Sequence, residues 1–486
     1  MDLDTTRCYR AISTRDRRFD GRFFTAVLTT GIYCRPVCPA RTPRADNVRF
    51  YRSAAAAEEA GFRPCRRCRP EAAPGSPAWI GSPALVARAL RLIADGGLDR
   101  ADLPAFAERF GVGERQLTRL FSTHVGVAPG AVARSHRSAL AQRLLADTAL
   151  PVSQVAIAAG YESLRQLNHD LRRRTGQTPT SLRARSRGRA APDPGKGLTL
   201  RLACRPPFDV TSLLRFLALR AIPGVEAVSD AGYWRTVRSG DSAATIGIRP
   251  GDDDASVMLT VDAPAPEALA GFVARARCLF DLDADPLAIS AHLRSSPQLA
   301  PLVARRPGLR VPGAWDPFEV AVRIVLGQQV TVRGATTLAG RLVALLGERA
   351  SGAACGALTH LFPLPEAVAR ADLVRIGLPR ARARTLHRLA GGVASGEIEL
   401  VAPRGVDDLV TRLTAIPGIG DWTAQFIALR ACGEPDAFPA GDLGLRRSAA
   451  ADGALLSPAA LLRESEAWRP WRAYAAIHLW TQGGAR

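Results

Sequence analysis

The sequence predicts a multidomain protein that is mainly α-helical. With 486 residues the chain is too long for one hydrophobic core, so several domains are expected. Two stretches rich in proline, glycine or arginine, residues 71–83 and 183–197, have the composition of linkers. They separate a short head rich in cysteine and arginine from a helical block and from a long C-terminal half.

These two breaks, with the change from a strand-like to a helical pattern near Asp281, predict four domains: a small α/β head, an all-α block, a small α/β domain and an all-α C-terminal domain. Their expected bounds are residues 1–72, 83–184, 197–285 and 286–486. The third domain opens with the strand-like segment LTLRLACRPPF and includes two strand-like runs around a polar turn, ATIGIRPGDDDASVMLTVDAP. Beyond Asp281 the pattern is helical, with short proline and glycine breaks.

Positive charge is concentrated in the first part of the chain. The net charge is +20, and residues 1–190 contain 32 arginines against 16 acidic residues. A basic region of this size suggests a polyanionic partner, most simply nucleic acid. The arginine-rich composition of a GC-rich genome is an alternative, but it explains the choice of arginine over lysine and not the clustering.

Neither a membrane anchor nor an export signal is expected. No apolar run is long enough to cross a membrane, and the first 20 residues lack the apolar core of a secretory signal. We therefore expect a cytoplasmic protein, in which thiols stay reduced. The nine cysteines need an explanation other than disulfides.

Four cysteines of the head have the spacing of metal ligands. Cys34 and Cys38 form a C-x3-C pair, and Cys65 and Cys68 form a C-x2-C pair 26 residues further on. Two close pairs at this separation predict one tetrahedral Zn²⁺ with four cysteine ligands. The alternative is a chance group of thiols in the core. Because a head of this length makes only a small core, a bound metal would help it to fold.

The sequence segments around these cysteines closely resemble the N-terminal domain of the Ada family. They are TTGIYCRPVCPAR, NVRFY and AGFRPCRRCRPE. The resemblance implies that one thiolate accepts the methyl group of a methyl phosphotriester in the DNA backbone. The matching thiolate is that of Cys34. The transfer is stoichiometric, because the thioether is not regenerated. Methylation also removes one negative charge from the site, so repulsion from DNA phosphates weakens. An inert zinc site is the alternative.

The helical block contains two helix-turn-helix patterns, centred on Gly111 and Gly160. Together with the connecting helix AVARSHRSALAQRLLADT, the pair resembles the AraC-type DNA-binding domain. An activator of this type implies promoter DNA and RNA polymerase as partners. Arginine, glutamine and asparagine suit guanine and adenine edges in the major groove. The candidate DNA-binding residues on the second helices are Arg115, Gln116, Arg119, Arg165, Gln166 and Asn168.

A glycine-proline hairpin, IPGIGDWTA, lies in the C-terminal half between two helical runs. Gly418 and Gly420 leave backbone N–H groups bare at the start of the second helix, where they can meet a DNA phosphate. The lone acid Asp442 follows one helix later, set among small residues. The pattern indicates a unit that holds the DNA backbone at one end and presents a carboxylate at the other.

Residues 197–486 resemble the helix-hairpin-helix DNA glycosylases, and most closely the 3-methyladenine DNA glycosylase II (AlkA) family. The resemblance rests on the hairpin and on WDPFEVAVRIVLGQQVTVRGATTLAGRL, IGLPRARARTLHRLA and WRPWRAYAAIHLW. It implies that a damaged base is flipped into a pocket and that Asp442 is the catalytic carboxylate. Trp480 matches a base-stacking tryptophan, and Phe426 and Trp422 are candidate pocket walls; ordinary core aromatics are the alternative. The hairpin carbonyls of relatives bind a monovalent cation, which is possible here too.

Two positions, Gln329 and Gly441, depart from the pattern of relatives, and a third, Trp422, bears on strand cleavage. Gln329 stands where some relatives place an apolar residue that fills the gap left by the flipped base. Gly441 replaces an acid that often precedes the catalytic one, so one carboxylate is available at this turn. Related lyases carry a lysine just after the hairpin, where this chain has Trp422, so we expect no strand cleavage.

The sequence therefore predicts an adaptive-response DNA repair protein. Its C-terminal half would be a monofunctional glycosylase for alkylated purines of the 3-methyladenine type. Its N-terminal part would be a methyl-accepting transcriptional activator that binds DNA. The alternative is a methyl-sensing regulator whose glycosylase half only binds DNA.

Overall fold

The computed structural model describes residues 3–73, 84–184, 197–262, 265–350, 356–401, 405–450 and 455–482. Most of each predicted linker, at 71–83 and 183–197, lies outside the described residues. The described chain is mainly helical with small sheets, as predicted. Among these residues, no helix is both long and apolar enough to cross a membrane.

The chain divides into two compact units. The first comprises Met1–Pro206, Gly251–Arg277 and Leu282–Ala284. The second comprises Pro207–Pro250, Cys278–Asp281 and Asp285–Arg486.

The first unit begins with a small α/β head. Its elements are α1 (Thr5–Ser13), β1 (Phe24–Val27), β2 (Ile32–Cys34), β3 (Val48–Tyr51), α2 (Ala54–Glu59) and β4 (Arg63–Pro64). The sheet has the order β3–β1–β2–β4, in which β1 is antiparallel to both neighbours and β2 is parallel to β4. Its core is small, with Phe23, Phe24 and Tyr33 as the large buried side chains. A core of this size supports the expectation that metal helps the head to fold.

The helical block follows in the same unit. Its helices are α3 (Ala84–Ala94), α4 (Gly97–Arg100), α5 (Leu103–Glu108), α6 (Glu114–His124), α7 (Pro129–Asp147), α8 (Val152–Ala158), α9 (Leu164–Thr175) and α10 (Pro179–Ala184). Helices α5 and α6 form one helix-turn-helix unit, α8 and α9 form the other, and α7 connects them. The turns contain Gly111 and Gly160 with φ of +70° and +82°, a region that favours glycine.

The apolar spacing of α6 and α9 explains their shared orientation. Leu117 and Phe121 of α6, and Leu167 and Leu171 of α9, are four residues apart on one face and are fully buried. The opposite face of each helix is therefore left to polar side chains.

The next region supplies β5 (Leu198–Ala203), α11 (Val210–Ala218), β6 (Glu226–Ser229), β7 (Gly232–Ser239), β8 (Ser242–Pro250), β9 (Ser256–Asp262) and α12 (Leu269–Leu279). In the first unit, β5 pairs antiparallel with β9 over its whole length. In the second unit, β6, β7 and β8 form an antiparallel meander. The strand-like segments predicted in this region are thus present.

The rest of the second unit is helical. The helices are α13 (Pro286–Leu293), α14 (Ala300–Arg305), α15 (Pro317–Leu326), α16 (Val332–Leu346), α17 (Pro365–Arg370), α18 (Arg380–Ala394), α19 (Val406–Thr414), α20 (Asp421–Arg430), α21 (Leu443–Ser448), α22 (Pro458–Ser465) and α23 (Arg472–Gln482). The glycine-proline hairpin lies between α19 and α20, as the sequence predicts.

Buried charges fix α15 to the strands of the second unit. Arg235 of β7 donates to Glu319 of α15 at 2.6 Å, and Arg323 of α15 donates to Glu226 of β6 at 3.0 Å. Helix α15 leads directly into the Gln328–Gln329 turn, so these ion pairs also position that turn.

Candidate functional sites

The four predicted metal ligands lie together in the head. The sulfur atoms of Cys34, Cys38, Cys65 and Cys68 all lie within 4.8 Å of one another, and those of Cys38 and Cys65 are 3.9 Å apart. Tetrahedral Zn–S bonds of about 2.3 Å place two sulfurs about 3.8 Å apart. The side chains present therefore fit one Zn²⁺.

Arg35 braces this cluster from the residue after Cys34. Its backbone N–H donates to the sulfur of Cys68 at 3.4 Å, and its guanidinium donates to the Cys68 carbonyl at 3.1 Å. The same guanidinium pairs with Asp20, which lies four residues before β1, with one hydrogen bond of 2.9 Å. These contacts tie the two cysteine pairs to the sheet.

The helix-turn-helix candidates lie on the polar faces of α6 and α9. Arg115, Gln116 and Arg119 are exposed on α6, as are Arg165 and Gln166 on α9, while Asn168 is half-buried. Two of these side chains form hydrogen bonds within α9 or the turn before it. Gln166 accepts from the N–H of Glu162 at 3.0 Å, and Asn168 donates to the carbonyl of Leu164 at 2.9 Å. Each of these bonds involves one atom of the side-chain amide, Oε1 of Gln166 and Nδ2 of Asn168.

The hairpin leaves the start of α20 without a side-chain cap. Gly420 is the N-cap residue, so the first N–H groups of the helix have no capping side chain. Gly418 adopts φ of +94°, and a Cβ there would overlap the hydroxyl of Thr385 on α18. That hydroxyl donates to the carbonyl of Pro417 at 2.8 Å. The glycine is thus required both by backbone conformation and by the close approach of α18.

Asp442 is held by hydrogen bonds to both of its carboxylate oxygens. Oδ1 accepts from the indole N–H of Trp480 at 2.9 Å and from the N–H of Leu445 at 2.9 Å. Oδ2 accepts from the indole N–H of Trp422 at 3.1 Å. The residue therefore caps α21, which by itself would be a structural role. The two indole N–H donors add a constraint that a helix cap does not need, because they fix the carboxylate in one orientation between aromatic rings.

Three aromatic rings line this carboxylate as one row. The ring centroids of Trp422 and Phe426 are 5.6 Å apart, and those of Phe426 and Trp480 are 5.4 Å apart. All three side chains are half-buried, so part of each ring is accessible. The arrangement is an aromatic wall beside a fixed negative charge.

The Gln328–Gln329 turn is attached to the hairpin. The side-chain amide of Gln328 donates to the carbonyl of Gly418 at 2.9 Å and to the hydroxyl of Thr423 at 3.0 Å. Gln329 is exposed and has φ of +56°, an uncommon conformation for a residue other than glycine. Thr423 follows Trp422 in the sequence, so Gln328 bonds to the residue next to the first tryptophan of the aromatic row.

Known families match consecutive parts of the chain. They are the metal binding domain of Ada (residues 7–71), a helix-turn-helix domain (106–185), the AlkA N-terminal domain (199–316) and the HhH-GPD superfamily of base excision DNA repair proteins (322–473). A Mycobacterium tuberculosis protein named "probable bifunctional transcriptional activator/DNA repair enzyme AlkA" is 46% identical over 483 residues, which is 99% of this chain and 97% of that protein. The chain belongs to this family of bifunctional activator/repair enzymes.

Two further relatives each share part of the chain. DNA-3-methyladenine glycosylase 2 of Escherichia coli is 34% identical over 286 residues, covering 58% of this chain and 96% of that enzyme. The bifunctional transcriptional activator/DNA repair enzyme Ada of Escherichia coli is 37% identical over 130 residues, covering 27% of this chain and 35% of that protein. The expected resemblances to the Ada and AlkA families are confirmed.

The prediction of one Zn²⁺ held by four cysteines is also confirmed. The match to the Ada metal binding domain includes all four cysteines, and their sulfur atoms lie close enough to share one Zn²⁺. The helix-turn-helix and glycosylase matches identify DNA as a partner of the chain.

The sequence analysis did not identify two side chains that shape the candidate glycosylase site. Gln328 and Thr385 hold the hairpin from two sides, and neither was a candidate. Gln328 is adjacent to the candidate Gln329, but no local pattern links it to Gly418, which lies 90 positions away. Thr385 lies within the segment IGLPRARARTLHRLA, where the sequence pattern does not distinguish it from other helix residues.

Proposed function

We propose that this protein repairs alkylated DNA by two separate chemistries and activates transcription in response to damage. The C-terminal half excises alkylated purines of the 3-methyladenine type without cutting the strand. The head accepts a methyl group from a DNA phosphotriester. The observation that carries the excision reaction is the Asp442 carboxylate, held by the indole N–H groups of Trp422 and Trp480 beside an aromatic row.

The excision reaction follows from that arrangement. A flipped N3- or N7-alkylated purine carries a positive charge, which the faces of Trp422, Phe426 and Trp480 favour. When the N-glycosidic bond breaks, its electron pair goes to the base, which leaves neutral and needs no general acid. The sugar acquires oxocarbenium character, and the Asp442 carboxylate stabilises that positive charge. Water then adds to C1′ and loses a proton, which leaves an abasic site.

The residues do not favour a lyase step. A glycosylase that also cuts the strand needs an amine to form a Schiff base with the sugar. The position after the hairpin holds Asp421 and Trp422, and Lys196 is the single lysine of the chain. A monofunctional enzyme is the expected outcome.

The hairpin is proposed to bind a DNA phosphate through the exposed backbone at Gly418 and Gly420. Asp421, in the first turn of α20, adds a negative charge next to these glycines. That charge opposes a phosphate, so a monovalent cation bound by hairpin carbonyls would restore the attraction. Gln329 is proposed to enter the duplex beside the flipped nucleotide, because its turn is fixed to the same hairpin.

The methyl-acceptor reaction is proposed for Cys34. Zinc, when bound, keeps the thiols deprotonated at neutral pH. The Cys34 thiolate attacks the methyl carbon, the carbon–oxygen bond breaks, and the phosphodiester leaves with the electron pair. The resulting thioether is permanent, so each chain reacts once. The related Escherichia coli protein named as the activator/repair enzyme Ada supports this assignment.

The activator role is proposed for the two helix-turn-helix units. Exposed Arg115, Gln116 and Arg119 of α6, with the polar face of α9, would contact promoter DNA, and RNA polymerase would be the protein partner. Loss of one negative charge at the methylated cysteine would strengthen DNA binding, because the site repels phosphate less.

The first test is base release from methylated duplex DNA. The freed bases are separated by chromatography, and the strands are examined on a denaturing gel. Free 3-methyladenine with intact strands supports the proposal. Strand cleavage that matches base release would contradict the monofunctional reaction. No release by folded, zinc-loaded protein would leave a methyl-sensing regulator whose C-terminal half only binds DNA.

A further inference from the structure

Two arginines of the second unit share one aromatic ring. Arg220 follows α11, and Arg430 is the last residue of α20. The guanidinium carbon of Arg220 lies 3.8 Å from the ring centroid of Phe216 in α11, and that of Arg430 lies 4.6 Å from the same centroid. Distances this short place both cations against the ring. Arg220, Arg430 and Phe216 therefore form one cluster, which we call the two-arginine cluster.

Neither guanidinium of the two-arginine cluster is paired with a carboxylate of the described residues. Arg220 donates through Nη1 to the carbonyl of Phe216 at 3.2 Å, and Arg430 donates through Nε to the carbonyl of Pro312 at 2.5 Å. Each guanidinium carries five N–H donors, so most of them have no acceptor within the described part of the chain. The nitrogens that carry them are not sealed from solvent, so an anion can reach them.

The neighbouring acids are already bonded to two other arginines. Glu226 accepts from Arg323 at 3.0 Å. Glu319 accepts from Arg235 at 2.6 Å and from Arg323 at 3.2 Å. Two carboxylates thus balance two guanidiniums. Arg323 also donates to the carbonyl of Arg220, so this balanced network adjoins the two-arginine cluster. The cluster adds two further positive charges that the network does not balance.

Burial makes this surplus of positive charge unfavourable. Arg430 is only 7% exposed, and a cation taken out of water needs a counter-charge. Burial, and then the charges of Arg220 and Arg323, hold the pKa of Arg430 well below its usual value. Burial, and then the charge of Arg323, lower the pKa of Arg220 to about 10. The carboxylate of Glu226 opposes the shift at Arg430 without cancelling it. An anion between the two guanidiniums would stabilise both cations.

Two explanations that need no ligand account for less of this arrangement. The face of an aromatic ring attracts a cation, but the ring has no net charge and does not cancel the repulsion between two cations. A cation at the C-terminal end of a helix interacts favourably with the helix dipole. That interaction favours Arg430 at the end of α20, but it does not explain why a second cation, Arg220, lies on the same ring.

We propose that Arg220 and Arg430 bind a phosphate group. A guanidinium bonds two oxygens of an anion through two parallel N–H groups. One such fork uses both oxygens of a carboxylate, whereas a phosphate group has further oxygens for a second fork. Two guanidiniums on one ring therefore suit a phosphate group better than a carboxylate. The phosphate belongs either to a free phosphate compound or to a DNA backbone.

The proposed phosphate site is separate from the glycine-proline hairpin. Helix α20 has ten residues, so Arg430 at its C-terminal end lies about 15 Å from Gly420, which precedes its N-terminal end. A phosphate at one end of α20 does not exclude a phosphate at the other. Binding at the two-arginine cluster does not depend on base release, so either proposal can fail while the other holds.

The first test is calorimetric titration of the full-length, zinc-loaded protein with inorganic phosphate at constant ionic strength. Removing one charged donor fork should weaken binding at this site at least tenfold, so Arg220→Gln and Arg430→Gln should each lose it. Phosphate bound by arginines elsewhere contributes equally to every variant. The matched control is Arg215→Gln, an exposed arginine of α11, which should leave the titration unchanged.

Two further measurements guard against a folding defect. Helical circular dichroism reports whether each variant folds. If Arg430→Gln does not fold, Arg430→Lys replaces it, because an ammonium keeps the charge but lacks the fork of a guanidinium. Phosphate should also raise the melting temperature of wild type more than that of Arg220→Gln, because a ligand stabilises the folded state that binds it.

A second experiment distinguishes the two sources of phosphate. Affinity for a short fluorescent duplex is measured by anisotropy over a range of salt concentrations. If the site holds a phosphate of the DNA backbone, Arg220→Gln and Arg430→Gln each lower the slope of log K against log salt by about 0.9. An unchanged slope, together with weakened binding of inorganic phosphate, identifies a free phosphate compound as the ligand.

Two results would overturn the proposed phosphate site. One is equal affinity of wild type, Arg220→Gln and Arg430→Gln for inorganic phosphate. The other is an equally large loss in Arg215→Gln, because the effect would then reflect general positive charge and not the two guanidiniums on Phe216.

Discussion

Replacing Asp442 by Asn should slow base release by about a thousandfold. The side chain is half-buried, so an effective dielectric constant of about 20 is appropriate. A carboxylate about 4 Å from a full positive charge then contributes about 4 kcal/mol. Each 1.36 kcal/mol of activation free energy is about tenfold in rate, so losing this charge costs about three powers of ten. Binding to a duplex with an abasic-site analogue should persist, because the hairpin is unchanged.

The asparagine variant also disturbs one hydrogen bond, and this effect needs a control. Oδ1 of Asp442 accepts two hydrogen bonds, from Trp480 and Leu445, so the amide oxygen should take its place. The amide NH₂ then faces the indole N–H of Trp422, and two donors oppose each other at a cost of about 1–3 kcal/mol. Trp422→Phe removes that donor, so the double variant relieves the opposition of the two donors without restoring the charge.

The assay is single-turnover release of 3-methyladenine from methylated duplex, with protein in excess and chromatography of the freed base. Wild type, Asp442→Asn, Trp422→Phe and the double variant are compared. If charge is the cause, the double variant stays as slow as Asp442→Asn. A rate for Asp442→Asn within tenfold of wild type, or recovery in the double variant, would refute the role of the carboxylate.

Three further predictions concern other parts of the chain. Chelation of zinc should unfold the head, because its core is small, and limited proteolysis should then cut within residues 3–73; an unchanged digestion pattern would contradict this. Gly418→Ala should weaken DNA binding at least tenfold, because the new Cβ overlaps Thr385 and φ is +94°, whereas Gly391→Ala, with open space around its Cβ, is the matched control. Burial lowers the pKa of His478 to about 4, below the unfolded value of 6.5, so stability should fall by up to about 3 kcal/mol as pH drops from 6.5 to 4. Urea unfolding of wild type and His478→Leu at both pH values measures this, and an equal pH dependence would contradict it.

The zinc site was predictable because its ligands come in two short pairs. Cys34 with Cys38, and Cys65 with Cys68, have spacings set by the metal itself, so the sequence shows the site before the fold is known. The Arg35 contacts to Cys68 and Asp20 were not predictable. They depend on the sheet, which brings together residues 33 and 15 positions apart.

In the candidate glycosylase site, the sequence predicted the residues Asp442, Trp422, Phe426 and Trp480 but not their hydrogen bonds. Trp422 and Trp480 reach Asp442 across 20 and 38 positions, so only the packing of α20, α21 and α23 shows which oxygen each indole meets. The sequence offered those tryptophans as surfaces for a base. The structure adds that they are also hydrogen-bond donors to the carboxylate.

The α9 candidates show a different limit. Exposure of a helix face follows from its apolar spacing, and in the structure Gln166 is exposed whereas Asn168 is half-buried. The partners of a short amide are decided by competition with nearby backbone groups. Both amides bond to their own helix or its turn here, a choice that neither composition nor spacing expresses.

The two proposed chemistries differ in turnover, and that difference argues for joining them in one chain. Methyl transfer to Cys34 consumes its acceptor, so the methylated fraction of the protein records the damage that has occurred. Base release at Asp442 leaves the carboxylate unchanged, so the same chain continues to remove lesions after Cys34 has been methylated. Methylation of Cys34 also removes one negative charge, so the site repels DNA phosphates less. Methylated protein should then bind DNA more tightly than unmethylated protein while releasing bases at the same rate.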